Sequence, residues 1–258
     1  MATADPPSTG IANPIHSDDG ASGAGYAGAL VAGVRTYGWV AEAVVERLGE
    51  AWLDGGWADV TLRRPVFVGD AVTIDVGPEA VQATVAGRVV LDGAVGLGSA
   101  PWLGELDPPA AAPAADAPAV RSTYTLDDAP IGHALRPLGA WVSWADAERL
   151  RLDDLGQSTS HVAAGRLHPW FLAARMAPLT RHNFTYGPTI HVRTQIQHRG
   201  PAAAGQEVVV GARIVDVFER NEHWYQVLDG RVDGTAGVEL ARIRHHSIFR
   251  PRGTRPPT

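Results

Sequence analysis

The sequence predicts an α+β chain of two similar halves, each a helix wrapped by a curved antiparallel sheet. Three observations predict it. One stretch recurs without a gap, the same order of one helical and several strand-like segments occurs twice, and a Pro/Ala-rich run separates the two occurrences.

The recurring stretch is TLRRPVFVGDAVTI at 61–74 and QHRGPAAAGQEVVV at 197–210. Arg63 answers Arg199, Pro65 answers Pro201, Gly69 answers Gly205 and Val72 answers Val208, each pair 136 positions apart. At nearly the same offset VVLDG (89–93) answers QVLDG (226–230), with one residue inserted. Agreement on one offset across the chain is the signature of an internal repeat.

In the first half, Leu30, Val34, Tyr37, Ala41, Val44 and Leu48 recur at three- or four-residue intervals, one face of a long helix. Gly33 and Gly38 each cost such a helix roughly 1 kcal/mol, which points to close packing or backbone access at those positions. Alternating segments follow at Val60 and Leu62, at Val72, Ile74 and Val76, and at Val81, Ala83 and Val85, each a strand with one buried face. PWLGELDPPAAAPAADAPAV (101–120) reads as an extended, semi-rigid connector. Beyond it a helical stretch opens at Pro169 in HPWFLAARMAPL, and TIHVRTQI, EVVVGARIVDVF, HWYQVLDG and ARIRHHSIF read as strands. Strands that follow one another without intervening helices argue against a doubly wound parallel sheet. The predicted division is an N-terminal unit at 1–100, a linker at 101–120, a C-terminal unit at 121–250 and a tail at 251–258.

Composition narrows the function. A net charge of −6 leaves no nucleic-acid footprint, and the three arginines of RPRGTRPPT read as a frayed end. The chain has no cysteine, which excludes disulfides, thiolate nucleophiles and cysteine-based metal sites. MATADPPSTG has neither the basic region nor the apolar run of a secretory signal, and no apolar stretch is long enough to span a bilayer. A cytoplasmic protein without membrane or nucleic-acid partners is the expectation.

In ANPIHSDDG (12–20) a proline-locked turn presents His16, with Asp18 and Asp19 behind it. Two readings stand for His16: an acid–base group, since imidazole titrates near neutrality, or a histidine hydrogen-bonded within its turn. Asp18 could orient it or activate water, and Asn13 could brace the loop through its amide. His168, at the entry of the second helix with Asp153, Asp154 and His161 upstream, reads either as a second acid–base group or as a cap or core contact. His191, within a strand, reads as a structural histidine. GAGYAG (23–28) has the spacing of a dinucleotide fingerprint, but polar HSDDGAS precedes it and antiparallel strands follow, so no nicotinamide site is expected. Neither a Gly-x-Ser-x-Gly elbow nor a His-Glu-x-x-His motif occurs. His245 and His246, adjacent on a strand, point to opposite faces and make a poor chelate, so no metal is expected.

These motifs together resemble those of MaoC-like (R)-specific enoyl-CoA hydratases and 3-hydroxyacyl-thioester dehydratases. The resemblance rests on Asn13, Pro14, His16 and Asp18, then Ala32-Gly33, then PVFVGD (65–70), and covers roughly residues 10–76. It implies a double hot-dog fold, two antiparallel sheets each wrapped around a central helix, with the substrate's pantetheine arm between the halves. It further implies reversible hydration or dehydration of enoyl and 3-hydroxyacyl thioesters, with His16 moving the proton. The Gly33 N–H, at a helix start, would hold the thioester carbonyl oxygen; otherwise this glycine serves tight packing. Asn13 and His168 are the further substrate-contacting candidates. Coenzyme A or an acyl carrier protein would carry the substrate, no other cofactor is implied, and a homodimer or a partner hot-dog subunit would complete the assembly.

The family's motif carries an aspartate five residues before its histidine, the acid of its catalytic dyad. Here that position is Ile11, and with only ten residues before it a first strand is expected to be missing. The offset of the repeat sets Ala147 opposite Ile11, Leu152 opposite His16 and Asp154 opposite Asp18, so the second half restores no dyad. Two other expectations therefore stand beside hydration. One is thioester hydrolysis through Asp18, Asp154 or Glu222. The other is a non-catalytic protein, or one specialised for cyclisation or rearrangement, that has lost the dyad.

Overall fold

The computed structural model describes residues 13–185 and 187–254. Ile11, the strand expected to be missing before it, and the tail from residue 255 lie outside the described residues.

After the Asn13–Pro14 turn comes a short helix, α1 (Asp18–Gly23), whose start is capped by the Ser17 hydroxyl accepting from Gly20 N. The long helix α2 (Gly33–Leu48) buries Tyr37, Ala41 and Val44 of the stripe read from the sequence, together with Val40 and Val45, while Val34 and Leu48 pack half-buried against the core. Leu30 stays outside it and bridges Phe67. A turn of helix, α3 (Ala51–Gly55), leads into β1 (Gly56–Leu62), β2 (Val72–Val76), β3 (Ala80–Val85) and β4 (Arg88–Leu97).

The second half opens with two elements that sequence reasoning did not anticipate, β5 (Leu138–Val142) and α4 (Trp144–Arg151). Its central helix is split into α5 (Pro169–Ala174) and α6 (Met176–Asn183). Pro178 accounts for the break, because it has no N–H to offer the carbonyl one turn back. Four strands follow: β6 (Ile190–His198), β7 (Gln206–Arg220), β8 (His223–Asp233) and β9 (Glu239–Arg250).

The two expected sheets are one. All strands pair antiparallel in the order β2-β3-β4-β1-β6-β9-β8-β7-β5. Pairing of β1 with β6, from Trp57 opposite Gln197 to Thr61 opposite Arg193, joins the halves edge to edge. The order is palindromic about this seam, so β1 corresponds to β6, β2 to β7, β3 to β8 and β4 to β9. Both central helices pack on one side of the sheet and against each other, over a single core that includes Val60, Leu91, Ile196, Val210, Leu228 and Ile243.

The repeat has a physical basis. Gly69 and Gly205, 136 positions apart, have φ of +93° and +77°, a left-handed conformation that favours glycine, in the turns entering β2 and β7. Arg63 and Arg199 likewise play one part twice. Arg63 pairs with Asp92 on β4 and its amide donates to Val90, while Arg199 pairs with Glu239 on β9 and its amide donates to Leu240. The same pairings correct one expectation. VVLDG lies on β4 and QVLDG on β8, which are not equivalent strands, so that match is not part of the repeat.

The connector (101–120) is a strap over the second half. Asp107 N donates to Asp229 on β8 at 2.8 Å, Pro109 lies against Gly211, and Ala115 N donates to the Pro137 carbonyl at 3.0 Å. Gln197 secures its start: its Oε1 accepts from Ala100 N at 2.7 Å, and its Nε2 donates to the carbonyls of Gly56 and Gly98. Among the described residues no helix is long and apolar enough to cross a membrane.

Candidate functional site

A cavity of about 320 Å³ opens where the two halves meet. The turn after Asn13, the start of α2, the loop after β1, the α5–α6 segment and the inner faces of β6, β8 and β9 all contribute to its wall.

Asn13 fixes the turn against the opposite half. Its Nδ2 donates to the Thr189 carbonyl at 2.7 Å, and Thr189 N donates back to Oδ1 at 3.3 Å. The side-chain amide thus pairs like a short piece of strand just before β6. His16 is half-buried on the cavity wall, its Nδ1 2.7 Å from the Leu30 carbonyl. A carbonyl can only accept, so Nδ1 carries the proton, and in the neutral ring Nε2 is the acceptor.

Gly33 begins α2 directly behind this turn. The N-cap residue, Ala32, supplies no side-chain cap, and the Gly33 N–H meets no acceptor among the described residues. An open helix start carries free donors and a partial positive charge. A Cβ at position 33 would lie 2.6 Å from Leu62 Cδ2 and 3.0 Å from His191 Nδ1, so only glycine lets the helix settle on β1 and β6. Both readings of this residue, tight packing and an exposed amide at the cavity, are compatible with its surroundings.

No protein-family model and no curated protein matches the chain. Solved structures do. A protein from Chloroflexus aurantiacus named as a MaoC domain dehydratase aligns with TM-score 0.64 at 13% identity, covering 95% of this chain and 90% of that one. A MaoC-like dehydratase aligns with TM-score 0.57 at 14% identity, covering 94% and 91%. A protein from Novosphingobium aromaticivorans named as a thioesterase aligns with TM-score 0.52 at 15% identity, covering 86% and 88%. The chain is a double hot dog. At such identities the likeness speaks for the fold alone.

Within the double hot dog, two of the candidate residues stand away from the cavity. Asp18 is exposed in the first turn of α1, and its Oδ1 accepts from Ala29 N at 2.9 Å, which closes the loop between them. His168 is fully buried as the N-cap of α5: Nδ1 accepts from Trp170 N at 3.3 Å, so Nε2 carries the proton to Glu42 Oε1 at 2.9 Å. Burial pushes the His168 imidazole below its ordinary value, and the Glu42 contact opposes that shift. Burial would raise Glu42, but hydrogen bonds from His168, Ser160 and the His161 amide hold it below the usual carboxylate range. Asp154 pairs with Arg149, and His161 faces Glu46 at 3.7 Å.

GAGYAG does not form a phosphate cradle. Ala24 N donates to Gly20 O, Gly25 N to Ser22 O and Tyr26 N to Ala21 O, so these amides are spent closing the end of α1.

Sequence reasoning missed His191 and His245 as cavity residues. Their rings stack with centroids 4.5 Å apart, and His191 Nε2 lies 2.5 Å from Thr194 Oγ1. Burial pushes His191 down to about 3, with His246 acting in the same direction and the Arg193 backbone against it. His245 is pushed well below its ordinary value, again chiefly by burial. Strand alternation counted back from Thr194 and Ile196 turns His191 outward. A bulge between His191 and Arg193 reverses the phase and brings it in.

Proposed function

We propose that this double hot dog acts on acyl thioesters, reversibly adding water to enoyl thioesters or removing it from 3-hydroxyacyl thioesters. One observation carries the reading: a single cavity wall holds the His16 imidazole and the uncapped start of α2 at Gly33. The thioester carbonyl would accept from the Gly33 N–H, which is best placed for the enolate-like oxygen of the transition state. In the dehydration direction His16 Nε2 would take the proton from C2. The imidazolium would then return it to the departing 3-hydroxyl, so that one C–H and one C–O bond break and water leaves. Coenzyme A or an acyl carrier protein would be part of the substrate, and both halves of the cavity come from one chain. The fold shared with proteins named as MaoC dehydratases supports this reading. Hydrolysis fits less well, because its candidate carboxylates, Asp18, Asp154 and Glu222, all stand off the cavity wall.

Crotonyl-CoA hydration, followed by loss of enoyl absorbance, tests it. His16→Ala is expected to lower kcat/KM roughly hundredfold, the usual worth of a positioned acid–base group, with circular dichroism unchanged. A fully active His16→Ala protein would take His16 out of the mechanism, and release of free thiol without hydration would replace the reaction with hydrolysis.

A further inference from the structure

The inner wall of the cavity holds more hydrogen-bonding capacity than a hydrocarbon tail can use. The strand register sets His191 on β6 opposite Ser247 on β9, and Ser247 opposite Gln226 on β8. The three residues form a row across neighbouring strands, and all three line the cavity. Gln226 and Ser247 are 2% and 4% exposed. Gln226 Oε1 accepts from the Tyr124 hydroxyl, and its Nε2 donates to Ser247 Oγ at 2.9 Å. Ser247 therefore acts as acceptor in this relay, and its own hydroxyl proton meets no acceptor among the described residues. His245, two residues back on the same strand face and 3% exposed, also lines the cavity with Nδ1 unpartnered. Buried polar groups without partners are rare and cost about 1–3 kcal/mol each. Valine or leucine at these positions would serve a purely apolar chain better.

We propose that the acyl chain of the substrate carries an oxygen function, hydroxyl or oxo, remote from the thioester, and that Ser247, flanked by Gln226 and His245, receives it. This rests on the acyl-thioester reading above and adds the class of acyl chain. Gly33, which marks the carbonyl end, lies against His191 at the start of the row. Ser247 is one strand spacing away and Gln226 two, about 5 and 10 Å. An extended chain with C–C bonds of about 1.5 Å advances roughly 1.3 Å per carbon, which puts the oxygen about four carbons from the carbonyl at Ser247 and about eight at Gln226. A site that hydrogen-bonds such a group discriminates against the analogue without it, since its own polar atoms are then left unpaired.

The test compares two enoyl-CoA substrates of equal length, one plain and one bearing a hydroxyl about four carbons from the carbonyl, within reach of Ser247. The saturated forms of both are compared in parallel by calorimetry, which needs no turnover. Wild-type protein is expected to favour the hydroxylated chain roughly tenfold in kcat/KM and in affinity, the worth of about one hydrogen bond. Ser247→Ala is expected to level the two chains. Equal handling of both by wild-type protein overturns the proposal and leaves the thioester reading intact, and so does a preference that survives Ser247→Ala. Preferential binding of the hydroxylated chain without turnover supports the proposed chain and removes the reaction. Failure of either thioester to bind removes both.

Discussion

Acidification is expected to unfold this protein at about pH 5, before its carboxylates protonate. The cause is a set of imidazoles held neutral. His191 and His198 are pushed down to about 3 and His246 to about 4, with burial the foremost cause in each, and His245 also falls well below its ordinary value. Positive neighbours add to the shift: Arg166 beside His198, and Arg193 and Arg244 beside His246, where Asp59 and Asp229 work the other way. A histidine depressed in the folded state contributes its full stability above its unfolded pKa, about 6.5, and loses it as the pH falls towards the folded value. Between those limits each such group removes about 1.4 kcal/mol per pH unit, and four together remove a large part of the 5–15 kcal/mol typical of a folded domain. The depressed carboxylates, Glu42 and Glu239, add their loss only below their ordinary value of 4.5. Tryptophan fluorescence and circular dichroism against pH would follow the transition. A native signal persisting to about pH 3.5 would contradict it. His198→Phe, which keeps a ring against Trp52, should move the midpoint to lower pH.

Loss of the Glu42 carboxylate is the second large effect. Its oxygens accept from His168 Nε2, Gln157 Nε2, Ser160 Oγ and His161 N, and so tie α2 to the entry of α5. Glu42→Leu removes the acceptor from all four donors and should cost about 3–5 kcal/mol, the usual effect of deleting one member of a buried pair. For a chain of this size that lowers Tm by on the order of 10 °C. Pairing the change with His168→Phe should recover part of the loss, because an apolar pair leaves no stranded imidazole. A Glu42→Leu protein melting within about 2 °C of the wild type would show the donors to be satisfied by water instead.

The sequence made the architecture legible where one residue type answers one physical need. Gly69 and Gly205 exposed the repeat because their turns need positive φ, and the stripe on α2 was plain because its buried face follows the helical period. β5, five residues long between irregular chain and α4, carried too little alternation to be recognised, and the longer β7 and β8 shifted the offset enough to align β4 with the wrong strand. At the site, Asn13, His16 and Gly33 could be named because they stand in one motif. His191, Gln226 and Ser247 could not, because their meeting depends on a bulge and on the pairing of β6, β8 and β9.

The palindromic sheet makes the chain a fused pair whose members have parted ways. The two central helices begin at matching places, yet Ala32 leaves the start of α2 open while the ring of His168 stoppers the start of α5. A strictly symmetric pair of lobes would have two equivalent open helix starts. Among the described residues the open helix start belongs to the lobe with the histidine turn and the other lobe supplies the far wall of the cavity, so on the proposed reading each polypeptide should take up a single molecule of substrate.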